Sequence, residues 1–412
     1  MSFEYWLTVE GQAVLQRAQE LMQCMQGDTL RVGTRLRKEM LCSASIASQA
    51  LEFVLCRQIA RSYGDWTQKG FFTRQALEQA TTPSIAQYHA ERFGRCKHVL
   101  EICTGSAFDT VALAQRSERV TTLEANEYLA AMARYNLALQ GITNVQVLCG
   151  HAEEICAKLD MGEFDGLWSD PSRRTPFGER VYAPKDYMPS LDWLQSLPIR
   201  GPKGIKISPI IDCNSRYLTG GWRREWIGIN NECREQVLWS GVEECTDRTA
   251  TLVTSTMPLY AYESWAPSIM QHQANVWGGD ERSLRGMFLL EPHAALIRAG
   301  YLSIFFAERE CMMLDERIAY GLSRILLPRS PWYQAFEIIE AMPFRYEHVR
   351  ECLKELGWGD RIEIKKRGFP VLPEEIRAKL KLSKDISAAS DGVLICTRKT
   401  HRHIALLARR VS

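Results

Sequence analysis

The stretch "HVLEICTGSAFDTVALAQ", residues 98–115, decides the fold. It opens with an apolar strand, turns at Gly105, and continues as a helix through "DTVALAQ". A strand, a glycine turn and a helix open a nucleotide-binding α/β unit. In such open sheets the ligand sits outside the carboxyl ends of the strands. A dinucleotide turn uses three glycines: one for the bend, one for close approach to pyrophosphate, one for helix packing. This turn has a single glycine, so a nicotinamide-dependent oxidoreductase fits it least well.

Outward from that stretch the alternation continues. "RVTTLEA" reads as a strand, and "NEYLAAMARYNLALQG" as a helix with a glycine stop at Gly141. "VQVLCG" is a strand, "AEEICAKL" a helix, and "FDGLWSDP" a strand ending at Asp170-Pro171. A helix near "YMPSLDWLQSL" leads to a strand in "GIKISPII". "NECREQVLWSG" and "RTATLVTS" alternate apolar and polar residues and read as antiparallel strands completing the sheet. This rhythm predicts a parallel sheet with helices on both faces.

On the N-terminal side, "EGQAVLQRAQELMQCM" and "SIASQALEFVLCRQIARSY" space apolar residues three and four apart, as helices do. On the C-terminal side the rhythm breaks after about Met257. "PHAALIRAGYLSIFFAER" reads as one helix from about Pro292. A last unit runs helix, strand, helix and two strands around a basic turn, ending in "DGVLICTRKTHRHIALLARRV". The expected units are a helical domain at 1–85, an α/β domain at 86–257, and small α+β domains at 276–335 and 340–412.

The 412 residues carry a formal net charge of +2, but unevenly. From Arg361 to Ser412 there are 13 Lys/Arg against 5 Asp/Glu, a net of +8. A basic end on a slightly acidic body fits an anionic partner or, equally, a solvated basic face on the last domain. The 13 cysteines are scattered, with no Cys-x-x-Cys pair, so no zinc cluster is expected. Cys103 and Cys149 sit in apolar runs, where cysteine acts as a small core residue. This usage and the plain N-terminus "MSFEYWLTVEGQ" predict a cytoplasmic protein. No apolar run approaches the roughly 20 residues of a membrane span. His401 and His403 alternate on a strand but lack a third ligand, so no metal is expected there. "WGGD" at 277–280 lacks the Lys-Ser/Thr of a phosphate loop.

S-adenosylmethionine carries no phosphate, so it relaxes the demand for glycines. Its amino and carboxylate ends need polar backbone and a nearby acid, which Glu101 and Asp109 can supply. Its ribose hydroxyls need a carboxylate at the end of the second strand. Glu124 stands there, 19 residues after Gly105. Capping of the helix "NEYLAAMARY" is the plain alternative for Glu124. Asp170, at the end of the fourth strand, points over the cofactor toward substrate and can orient an acceptor nitrogen or take its proton. Pro171 fixes the backbone beside it. Arg173 and Arg174 follow as a pair suited to phosphate or carboxylate. In the basic tail, Lys365, Lys366 and Arg367 form the expected contact surface for an anionic partner.

Taken together, "FFTRQALEQAT", "EICTGSAFDT", "DPSRR", "KISPIID", "NECREQVLW", "LLEPHAALIRAG" and "RIEIKKRGFPVLPEEIRAKLKL" resemble a bacterial family of class I methyltransferase-like proteins. That family carries a ferredoxin-like insert and a C-terminal THUMP-like domain. The resemblance implies a Rossmann-like methyltransferase fold, an S-adenosylmethionine site and an RNA substrate. It places Thr104, Gly105, Ala107, Asp109, Glu124, Ala125, His151 and Ala152 at the cofactor. Two positions depart from the family's pattern. Ala107 replaces the second glycine of the first motif, and His151 replaces the acid expected to contact adenine. An RNA-directed methyltransferase is therefore set against a non-catalytic RNA-binding protein with a degenerate methyltransferase core.

Overall fold

The computed structural model describes residues 2–174, 179, 181, 183–211, 221–242, 246, 248–254, 261–265, 273–382 and 392–411. The expected domain boundary at Met257 lies outside the described residues.

Five short helices come first: α1 (Val9–Cys24), α2 (Thr29–Met40), α3 (Ala44–Ile59), α4 (Arg74–Gln79) and α5 (Pro83–Glu91). Side-chain oxygens of Thr8, Asp28, Ser43 and Thr73 accept backbone N–H groups at the starts of the first four. The apolar faces of α1, α2 and α3 share a core with Trp6 and Phe53. The segment after them is tied down by Asn136. Its Oδ1 accepts the Phe71 N–H and its Nδ2 donates to the Phe71 carbonyl, both at 2.9 Å. The expected boundary at 85 falls inside α5, which packs on the sheet behind it.

The sheet begins with β1 (His98–Ile102), followed by α6 (Phe108–Ala114), β2 (Arg119–Glu124), α7 (Glu127–Leu139), β3 (Val145–Cys149), α8 (Ala152–Cys156), β4 (Gly166–Ser169), α9 (Leu191–Ser196) and β5 (Lys203–Ile207). Then come β6 (Arg223–Ile229), β7 (Glu232–Ser240), β8 (Arg248–Thr254) and β9 (Ala261–Trp265). Their order is β3-β2-β1-β4-β5-β7-β6-β8-β9. The first five are parallel, and β7 runs antiparallel to β5. β1 is buried at every position, as an apolar run covered on both faces should be. β3 lies at one edge of the sheet, so Cys149 is exposed instead of lying in the core, and Cys103 is only half-buried.

A second sheet joins β10 (Phe288–Pro292), β11 (Met312–Asp315), β12 (Ile318–Ser323), β13 (Tyr333–Pro343), β14 (Glu363–Lys366), β15 (Gly392–Lys399) and β16 (Arg402–Arg410). Their order is β11-β12-β10-β13-β16-β15-β14. The two C-terminal units expected at 276–335 and 340–412 are therefore one sheet. The 11-residue β13 crosses the gap between them and pairs with β10 on one side and β16 on the other. The helix expected from Pro292 is two, α10 (Ala294–Ala299) and α11 (Leu302–Ala307), broken where Gly300 takes φ +77°. These helices pack between the sheets, sharing a core with Trp226 and Leu252 from the first and Leu290 and Ala335 from the second. His293 seals the contact, its Nε2 lying 2.8 Å from the Asn230 carbonyl. A Cβ on Gly228 would meet the His293 ring at 2.3 Å, so only glycine permits this approach. α12 (Tyr346–Glu355) and α13 (Pro373–Leu380) cover the far end.

Candidate functional site

A cavity of about 630 Å³ opens where the strand order reverses between β1 and β4. That volume is in the range of small-molecule sites. Its walls come from the β1 loop, the ends of β2, β3 and β4, and α4 with the segment after it. The helical N-terminal region thus closes one side, through Glu52, Thr73, Gln75 and Gln79.

Thr104, Gly105, Asp109, Glu124, Ala125, His151, Ala152 and Asp170 all line the cavity. Gly105 has φ +52° with nothing near the place of a Cβ, so the turn is open toward the ligand space. Its N–H donates to Glu124 Oε2 at 2.9 Å, and Oε1 of the same carboxylate accepts the Asn126 N–H at 3.0 Å. The cap of α7 is Asn126, whose side chain accepts from Leu129 N–H. Glu124 therefore braces the loop and is not the helix cap. A carboxylate has about four acceptor positions, so two remain for hydroxyls in the cavity.

Two expected cofactor residues lie elsewhere. Glu101 does not line the cavity. It is buried beneath the loop, where its Oε2 accepts the Thr110 hydroxyl at 2.6 Å. Burial pushes its carboxyl up to about 8, with Thr110 and Thr122 only partly opposing the shift. Ala107 also lies outside the cavity wall. It holds a left-handed backbone at φ +63°, and its side chain packs against Ala133 and Leu137. The methyl group costs about 1–2 kcal/mol of conformational strain but does not occupy ligand space. The departure from glycine leaves the cavity intact for that reason.

A second recess, of about 390 Å³, adjoins the first and shares Gln79, Ala80, Thr81, Asp170 and Ser172 with it. Pro171, Arg173, Arg174 and Arg234 line it, with Glu78, Lys206 and Glu235 also in its wall. The Asp-Pro loop is held by paired backbone bonds: Ser172 N–H to the Met188 carbonyl (2.9 Å) and Met188 N–H back to Ser172 (3.1 Å).

Behind Asp170 stands a cluster that sequence reasoning missed. Lys206, near the end of β5, donates to Asp170 Oδ2 at 2.8 Å and to Thr81 Oγ1 at 3.1 Å, and lies 3.3 Å from Glu235 Oε2. Glu235 Oε1 is 2.5 Å from His89 Nε2, and His89 Nδ1 is 3.1 Å from Asp109. Burial opposes charge on each member, but the pairing wins. Glu235 is held down to about 2 by Lys206 and His89, and His89 is carried up to about 9 by Glu235 and Asp109. Lys206 is raised above the ordinary lysine range. Burial raises the Asp170 carboxyl, with Lys206 opposing. A charged residue inside an apolar run, Lys206 in "GIKIS" and Glu235 in "CREQVLW", was the available signal.

The basic tail departs from expectation. Lys365 Nζ lies 2.5 Å from Glu291, and Arg367 binds the same carboxylate at 3.4 Å and the Ala319 carbonyl at 2.9 Å. The second sheet curls so that β15 approaches β11 and β12, and side chains alternate along the strand. Lys365 and Arg367 turn inward while Lys366 alone of the three is exposed. They are not one free surface.

Among the described residues no group of three or more His, Cys, Asp or Glu is placed to hold a metal ion. No described helix is long and apolar enough to cross a membrane.

Comparison with solved structures decides what this scaffold is. A crystal structure of a "putative methyltransferase from Porphyromonas gingivalis W83" superposes with a TM-score of 0.72 at 20% identity, covering 90% of this chain and 92% of that one. The chain has a methyltransferase fold. Residues 333–410 match the family described as THUMP domain-like, and residues 1–60 a domain of unknown function (DUF8688). A Mycobacterium tuberculosis relative, described as an uncharacterized S-adenosylmethionine-dependent methyltransferase, is 28% identical over 76% of this chain and 81% of its own length. A Magnetococcus marinus protein-L-isoaspartate O-methyltransferase is 32% identical over 40% of this chain and 66% of its own. The methyltransferase fold and the THUMP-like end agree with the resemblance read from the sequence.

Proposed function

We propose that the protein is an S-adenosylmethionine-dependent methyltransferase acting on RNA, with a base nitrogen as acceptor. One observation carries the reading: Asp170 stands in the shared wall between a cofactor-sized cavity and an arginine-lined recess. The residues present fit the cofactor. Glu124 offers two free acceptor positions for ribose hydroxyls, and the Gly105 turn leaves space where a side chain would stand. Leu123, Ala125, Leu129 and Ala152 give apolar surface for the adenine ring, with His151 at its edge. Bound there, S-adenosylmethionine supplies a methyl group activated on a sulfonium sulfur.

The chain's own residues do the rest. Asp170 accepts a hydrogen bond from the acceptor nitrogen and so sets its approach. Arg173, Arg174 and Arg234 meet the neighbouring phosphates. α4 and the helical region exclude water from one side. The THUMP-like match at 333–410 and the anion-suited recess support RNA as substrate.

The test is transfer of tritiated methyl from S-adenosylmethionine to total bacterial RNA. Label that resists protease is expected in the RNA. Asp170→Asn should lower the rate by about 10²–10⁴-fold while cofactor binding is retained. Label in protein alone would contradict the RNA reading.

A further inference from the structure

The proposed function uses Asp170 and leaves its buried neighbours unexplained. His89, Lys206 and Glu235 are nearly or wholly inaccessible, with side-chain exposures of 0%, 6% and 3%. Burying three charges is costly unless each is paired. Here the signs alternate along a single path: Asp109, His89, Glu235, Lys206, Asp170. The path starts at a residue of the cofactor cavity and ends at the residue shared with the recess. The scaffold alone needs no such chain, since an apolar core would fill the space more cheaply.

We propose that Lys206, Glu235 and His89 are positioning residues for methyl transfer. They form a buried chain of alternating charge that fixes Asp170 as a carboxylate with one oxygen left for the acceptor. The inference rests on the methyltransferase reading. The geometry divides the work. The Lys206 ammonium has three N–H groups, and Asp170, Thr81 and Glu235 stand around it. It has no donor to spare for substrate, so it acts through Asp170. With Oδ2 taken by Lys206, Oδ1 of Asp170 is the free acceptor. Glu235 is held between Lys206 and His89, and His89 is stacked on Trp168 with ring centroids 4.2 Å apart. The stack and the two carboxylates fix the imidazole from three sides.

The chemistry balances without a further reactant. A bond forms between the methyl carbon and the acceptor nitrogen. The carbon–sulfur bond breaks, and its electron pair stays on sulfur. The proton released by the acceptor passes to Asp170 and then to solvent. The charged and titratable groups around Asp170 are Lys206 on β5, Arg173 on its own loop, Asp109 on α6, Glu235 on β7, the Tyr187 phenol and the Cys103 thiol. Removing Lys206 leaves burial unopposed except by Arg173, so the carboxylate becomes harder to keep.

Two measurements test this, one of them free of activity. Imidazole nitrogen shifts of His89 in the cofactor-free protein should report a doubly protonated ring at neutral pH, titrating near 9. In Glu235→Gln or Asp109→Asn that titration should fall toward the neutral range. A neutral His89 in the wild type, or one unmoved by both variants, overturns the chain. In the RNA methylation assay, Lys206→Met should move the acidic limb of the pH–rate profile upward by at least about one unit, and Lys206→Arg should restore it. An unmoved limb in a folded Lys206→Met protein overturns the role assigned to Lys206. Absence of RNA methylation by the wild type would count against RNA as acceptor, and the imidazole measurement would still decide the chain.

Discussion

Two clusters in this molecule mirror each other in charge, one cation between two carboxylates and one carboxylate between two cations, and lie in opposite settings. Around Lys206 stand Asp170 and Glu235. Around Glu291 stand Lys365 and Arg367. The first lies in the floor of the second recess, almost closed to solvent, with Lys206 and Glu235 at 6% and 3% exposure. The second keeps 18–27% of its side chains in solvent. In the first, each buried charge raises the stakes of the next, because low dielectric strengthens both attraction and the penalty for a missing partner. In the second, water does part of the work. The lesson is that a count of basic residues describes neither a surface nor a site. What matters is which side of the strand they leave and what meets them there.

The largest expected effect breaks that comparison directly. Glu235→Gln should cost about 3–5 kcal/mol, as loss of one partner in a buried pair does, whereas Glu291→Gln should cost no more than about 1 kcal/mol. Urea unfolding of both variants measures the difference, and equal costs would erase the distinction. Next comes pH. Glu101 is raised from 4.5 to about 8, so its contribution to stability is complete below about 4.5 and is lost as pH rises through about 8. Melting temperature should fall across that window, and Glu101→Gln, which keeps a partner for Thr110, should flatten the fall. A smaller effect belongs to the open cluster. Glu291→Gln removes the carboxylate that Lys365 and Arg367 share, leaving Lys365 with Glu363 and Arg367 with the Ala319 carbonyl, and RNA binding should gain a steeper salt dependence, by about 1–2 in the slope of log K against log salt. An unchanged slope would mean that the inward-facing pair cannot reach phosphate at all. The smallest is Ala107→Gly. Since the Ala107 methyl faces Ala133 and Leu137, cofactor affinity should change less than about twofold, well under 1 kcal/mol.

The sequence was most legible where local pattern and burial agree. β1 to β5 are short apolar runs between turn signals, and the Gly105 loop with Glu124 follows from their alternation. β6 was hidden because "RREWIGI" begins with two arginines, and β13 because its 11 residues cross an expected boundary. The contribution of α4 and Thr81 to the cavity could not be read, since it depends on how the helical region docks through Asn136. The Lys206 cluster combines residues from α5, α6, β5 and β7 that lie up to 146 positions apart. No spacing rule brings them together; only the reversal of the sheet after β5 does. The Lys365 pairing needed the curl of a sheet whose strands span two expected domains.

The proposed chemistry depends on the single-glycine loop braced by Glu124 being a working cofactor site. Calorimetric titration with S-adenosylmethionine tests it most directly, beside Glu124→Ala. Micromolar binding is expected of the wild type, with a loss of at least about tenfold, near 1.4 kcal/mol, in the variant. No binding by the wild type up to millimolar cofactor, or equal binding by both proteins, would contradict it.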